Sequence, residues 1–156
     1  MKQFVGALVV VTMMGFIFAA NVPAQKTRAV AADTSVVQQP LYTDFRGVKL
    51  GMTPEEVRQK LGNPVLKDTE MDYFVISDTL SAQVVYDAMH KARMISADYA
   101  NGAGAPDARA VVGPELITKA DGSAYAMIRY ASFGFWVSYN RTADPTVIVT
   151  ITIQKI

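Results

Sequence analysis

His90 is the only histidine in the chain, and there is no cysteine. Those two counts bound the available chemistry. A general base at His90 needs a partner to orient it, yet its neighbours Asp87, Ala88, Met89 and Lys91 have the character of a turn. Thiolate nucleophiles, disulfides and cysteine-ligated zinc are excluded by composition. One histidine among scattered carboxylates has no metal-ligand spacing. Acidic pairs occur at Glu55-Glu56 and at Asp68 and Glu70. The first suits a helix N-terminus, where negative charge meets the positive end of the macrodipole. Carboxylate catalysis requires two acids in contrasting environments, and their surroundings supply no contrast. Gly102-Ala103-Gly104 lacks the lysine of a phosphate loop, and no serine sits in a nucleophile elbow. Asn140-Arg141-Thr142 matches the glycosylation acceptor pattern but is better explained as a hairpin turn. The expectation is a chain with no catalytic residue, no cofactor and no metal.

Recognition chemistry is better represented. Phe133, Phe135, Val137 and Tyr139 alternate onto one face of a strand, and Trp136 points the other way between Gly134 and Ser138. In the last strand Val149, Ile151 and Ile153 oppose Thr150 and Thr152. The first sets predict a core face and the second a mixed, open face. An internal echo places Tyr73, Gln83, Tyr125 and Arg129 beside Trp136 on that open side. Trp, Tyr and Arg are the residue types that dominate protein-binding hot spots. These five residues form the candidate protein-binding face; the alternative is that Trp136 packs internally.

Positioning such a face requires a sheet and something to cover its back. Thr53, Pro54 and Glu56 form a capping box with proline at the first helical position, and Met52 and Val57 form a hydrophobic staple. Gly62 is expected to end this helix in a left-handed conformation, with Pro64 preventing its continuation. Strands are predicted over 72–77, 81–87 and 92–99, with a turn at 88–91. A second helix spans 107–112 with Asp107 as cap. Strands then follow over 125–130, 133–139 and 147–153, with a short lead-in at 116–119. The halves echo one another: Leu61-Gly62-Asn63-Pro64-Val65 against Val112-Gly113-Pro114-Glu115-Leu116, Tyr73 against Tyr125, and Val84-Val85-Tyr86-Asp87 against Val137-Ser138-Tyr139-Asn140. The fold class expected is therefore α+β, with short helices packed on one face of an antiparallel sheet and two tandem helix-plus-three-strand repeats, 44–100 and 105–156.

The N-terminal region has the pattern of a secretory signal. Lys2 precedes an apolar run from Phe4 to Ala20, and Val22-Pro23-Ala24 offers small residues for cleavage after Ala24. The alternative is retention as an anchor, although the run is shorter than the ~20 residues of a spanning helix. Residues 25–43 resemble a flexible linker, and 44–156 a single α+β domain. The net charge of +1 points to neither nucleic acid nor an anionic surface as partner. Without a lipidation cysteine, a cleaved product would be periplasmic or secreted, with no stable membrane insertion.

The segments Val48-Lys49-Leu50-Gly51-Met52-Thr53-Pro54-Glu55-Glu56-Val57 and Leu61-Gly62-Asn63-Pro64, followed by a strand with Val85-Tyr86-Asp87, resemble the SmpA/OmlA (BamE-like) family and the wider β-lactamase-inhibitor-protein-like (BLIP-like) fold. The resemblance implies a helical layer on an antiparallel sheet, in an exported protein that binds other proteins. BamE-like members help hold the outer-membrane assembly machinery together, and inhibitor-like members grip an enzyme with a concave sheet. This chain lacks the lipidation cysteine of the first group and the disulfides of the second. The function expected is a non-enzymatic envelope-protein binder. The rivals are an inhibitor of a secreted or periplasmic enzyme, and a small-ligand or lipid carrier with a pocket lined by Phe133, Phe135 and Tyr139.

Overall fold

The structure is a computed structural model and describes residues 38–114 and 116–156. The signal at 1–24 and most of the linker, 25–37, lie outside the described residues. From Pro54 the order of elements is α1 (Pro54–Leu61), β1 (Leu66–Lys67), β2 (Met71–Ser77), β3 (Leu80–Tyr86), β4 (Ala92–Ala100), α2 (Ala108–Val112), β5 (Ile117–Thr118), β6 (Ala124–Tyr130), a 3₁₀ turn (Ala131–Phe133), β7 (Phe135–Arg141) and β8 (Ile148–Lys155).

All the strands join one antiparallel sheet, in the order β1-β2-β3-β4-β8-β7-β6-β5. This corrects the expected fold class. The molecule is dominated by an eight-stranded sheet, not by helices layered on one, because α1 has only eight residues and α2 five. Each half also contributes four strands, not three, since Leu66–Lys67 and Ile117–Thr118 add short edges. The echoed residues are not equivalent in register. Tyr73 lies opposite Gln83, whereas Tyr125 lies opposite Asn140 and Trp136 opposite Arg129. A likeness of apolar strand residues does not specify which pairs meet across a ladder.

The inner face carries the core. Phe74, Val84, Ile95, Ile151, Ile153 and Val137 are buried along β2, β3, β4, β8 and β7. Helix α1 adds Val57, α2 adds Val111 and Val112, and the loop before α1 adds Phe45 and Val48. Tyr42, from the stretch that resembles a linker, packs partly buried against this core.

Helix α1 forms as its residues dictate. The Thr53 hydroxyl accepts from the Glu56 amide at 3.2 Å, and the Glu56 carboxylate accepts from the Thr53 amide at 2.7 Å. That backbone hydrogen bond holds the Glu56 carboxyl below its ordinary range. Gly62 does end the helix at positive φ, but with φ 87° and ψ −159° it is not in the left-handed helical region. Only glycine adopts that combination without strain.

The join between α1 and the sheet is polar. Asp72 on β2 is wholly buried, and its two carboxylate oxygens accept from Arg58 Nε at 2.8 Å and Nη2 at 2.9 Å. The Tyr86 hydroxyl on β3 donates to the same carboxylate at 2.8 Å. Three charge-assisted bonds satisfy a carboxylate whose burial would otherwise cost several kcal/mol. Removing Arg58 strands that charge, so Arg58→Ala should destabilise the protein by about 3–5 kcal/mol, against ~1 kcal/mol for Thr53→Ala. Urea unfolding of the two variants checks the ordering.

Burial, and then the bond to Asp72, raises the Tyr86 phenol above its ordinary value. A raised value means its contribution to stability is complete below about pH 10 and is lost as pH climbs through the folded-state value. Thermal melts should therefore fall with pH above about 10, and Tyr86→Phe should flatten that decline.

Candidate functional site

The outer face of the sheet is read from the ladder. Pairing places Met71, Val85, Met94, Gln154, Trp136 and Arg129 in one row across the strands. A second row runs Leu66, Tyr73, Gln83, Ser96, Thr152, Ser138 and Met127. A third runs Val75, Ser81, Asp98, Thr150, Asn140, Tyr125 and Ile117. All five candidate residues lie on this face, because β4 and β8 pair and bring the two halves into one surface.

They do not form one cluster. Tyr73 and Gln83 neighbour each other on β2 and β3, while Trp136, Arg129 and Tyr125 gather on β7 and β6. Four strand spacings separate Tyr73 from Trp136, about 19 Å. Trp136 is half-buried between Arg129 and Gln154, and it stands near one end of the face, not at its centre.

The centre is occupied by small polar side chains that sequence reasoning did not select. Ser96 and Thr152 share a hydroxyl–hydroxyl bond of 3.0 Å across β4 and β8. Thr150 donates to the Asp98 carboxylate at 2.6 Å. The Gln83 side-chain amide donates to the Met71 sulfur. The result is a low hydroxyl-rich floor between two apolar flanks. On one side stand Leu66, Val75 and Tyr73; on the other, Trp136, Met127, Tyr125 and Ile117. Exposure of Tyr125 is 50 % and of Ile117 69 %.

Strand alternation was a usable signal for some of what was missed. Met127 lies between Tyr125 and Arg129 at period two, and Asp98 alternates with Tyr99 and Ala97, both buried. Leu66 and Ile117 had no such signal, since each belongs to a two-residue edge strand.

The remaining sequence candidates fall elsewhere. His90 is exposed on the β3–β4 turn at φ 53°, and its side chain makes no hydrogen bond or ion pair among the described residues. Most acids near turns are engaged in backbone capping: Asp44 with Gly47, Asp68 with Glu70, Asp87 with Met89 and Lys91, Asp107 with Arg109, and Asp121 with Ser123. Backbone bonds to Lys91 and Met89 hold the Asp87 carboxyl below its ordinary range, and Ser123 does the same for Asp121. Among the described residues no group of acids and histidine could hold a metal ion, and no helix is long and apolar enough to cross a membrane.

The pocket expected from Phe133, Phe135 and Tyr139 is not formed by that set. Gly134 adopts the left-handed conformation at φ 74° and ψ 23°, so residues 131–133 turn instead of extending β7. Phe133 is left 42 % exposed, while Tyr139 is buried in the core. Phe133 and Phe135 instead line an open groove of about 390 Å³ with Leu50, Ile153, Lys49 and Lys155.

No protein-family model matches the chain, and no curated protein or solved structure is significantly similar to it.

The facing of the strands makes a direct prediction. Thr152→Lys places a charge on the outer surface and should change unfolding free energy by about 1 kcal/mol or less. Ile151→Lys puts the same charge in the core and should abolish cooperative folding. Thermal denaturation followed by circular dichroism compares them.

Proposed function

We propose that this chain is a non-enzymatic binding protein whose outer sheet face docks against another protein of the cell envelope. The observation that carries the reading is the charge content of that face. Along its three rows only Asp98 and Arg129 are charged, while Trp136, Tyr73, Tyr125, three methionines and several aliphatic side chains share the surface. A sheet face built only to meet water carries interspersed charges of both signs. Depletion of charge with enrichment of aromatics and methionine is the composition of an interface core. Exposed apolar side chains grouped as Met127, Tyr125 and Ile117 are on one flank mark an interaction site.

The apolar run at 4–20 and the small residues before Gln25 support export, and the absence of cysteine supports a product without a lipid anchor or disulfides. The likeness of 48–57 and 61–64 to SmpA/OmlA proteins supports an envelope partner. The site offers no residue set for turnover, and its hydroxyl floor and apolar flanks suit contact with a folded surface.

Trp136→Ala removes the largest side chain on the face without touching the core. Capture from envelope extract should lose the partner with this variant and keep it with Arg109→Ala, at an exposed position of α2. A folded Trp136→Ala protein that recovers the same partner in the same yield would discard the face.

A further inference from the structure

We infer that the Asp98 end of the outer face is an anchor pocket for a basic side chain, arginine or lysine, presented by the docked protein. This rests on the docking reading above and adds the chemistry of the partner. The pocket is a cavity of about 490 Å³, with Tyr73, Val75, Ser81, Asp98, Ile148 and Thr150 in its lining and Asp78 at its exposed rim. No lysine, arginine or histidine lines it.

Asp98 has no ordinary structural employment. The other aspartates with side-chain bonds cap turns, pair with Arg141, or, in Asp72, sit in the buried cluster. Asp98 instead stands on β4, a central strand of the sheet, two residues from the strand's end. Its cross-strand neighbours Ser81 and Thr150 are short, so the carboxylate lies at the floor of the cavity. Thr150 holds one oxygen at 2.6 Å; the other accepts no hydrogen bond among the described residues. Neither Asp98 nor Asp78 has an ion-pair partner there. Arg129 is three strands away, about 14 Å across the sheet.

A half-buried, oriented carboxylate beside a tyrosine and aliphatic walls matches a long cationic side chain. The methylene stem covers Val75 and Ile148, the ring of Tyr73 offers a surface for the cation, and Asp98 takes a charge-assisted hydrogen bond. Neutral partners would leave the carboxylate desolvated and unpaired, which disfavours them.

The test is selection of random peptides displayed on phage against the immobilised full chain. Dissociation constants of the winners are then measured for the wild type, Asp98→Asn and Trp136→Ala. Asp98→Asn keeps an acceptor for Thr150, and its melting curve confirms that it folds. The expected winners carry an arginine or lysine flanked by apolar residues. Asp98→Asn should weaken them at least about tenfold, and so should replacing the arginine by citrulline or acetylating the lysine. Winners that depend on Trp136 but are indifferent to Asp98→Asn and to loss of their own charge would overturn the anchor and leave the docking face standing. A selection that yields no peptide dependent on either residue overturns both.

Discussion

The antiparallel pairing of β4 with β8 is the constraint on which the molecule depends. It runs from Met94 opposite Gln154 to Ala100 opposite Ile148, and it joins residues between 48 and 60 positions apart in the chain. Each half otherwise forms a meander of neighbouring strands, whose contacts are local. Closing the β4–β8 ladder fuses the two meanders into a single core under Ile95, Ala97, Ile151 and Ile153. The same ladder aligns the outer rows, so the surface proposed to bind and the interior that stabilises are two faces of one pairing. Register matters here: a slip by one residue would send Ile151 and Ile153 outward and Thr150 and Thr152 into the core.

A sheet this wide has two edges to protect. Both end in two-residue strands, Leu66–Lys67 and Ile117–Thr118, which limits the length of unpaired ladder they present. The inner face is covered economically. Two short helices and the loop carrying Phe45 and Val48 suffice because the strands supply most of the buried side chains themselves. Where that cover is thin, between the 43–51 loop and the Ala131–Phe133 turn, Phe133 and Phe135 remain partly exposed.

Carboxylates divide into two kinds of service. Those in loops and in the first turn of α1 satisfy backbone amides at turn and helix starts, where the cost of ordering is low and solvent screens the charge. Asp72 and Asp98 sit on strands instead, on opposite faces. Asp72 is neutralised within the molecule by Arg58 and Tyr86, and it ties the first helix to the sheet. Asp98 has only a hydroxyl, and that contrast is what singles it out for the recognition role proposed above.

Local structure was legible from residue types. The Thr53 capping box, the Asp107 cap, the alternation in β7 and β8 and the outward position of Trp136 all follow from interactions within a few residues or from period two along a strand. The internal echo put Tyr73, Gln83, Tyr125 and Arg129 on the outer side, and along their strands each alternates with buried residues, because one buried face forces the other outward. The chain alone did not determine how strands meet. That the sheet outweighs the helices, that Tyr73 and Trp136 stand ~19 Å apart, that Phe133 leaves the strand at Gly134, and that Asp72 finds Arg58 were decided by tertiary structure. Periodicity along one strand carries no information about the neighbour's register, and only the closing of long-range ladders supplies it.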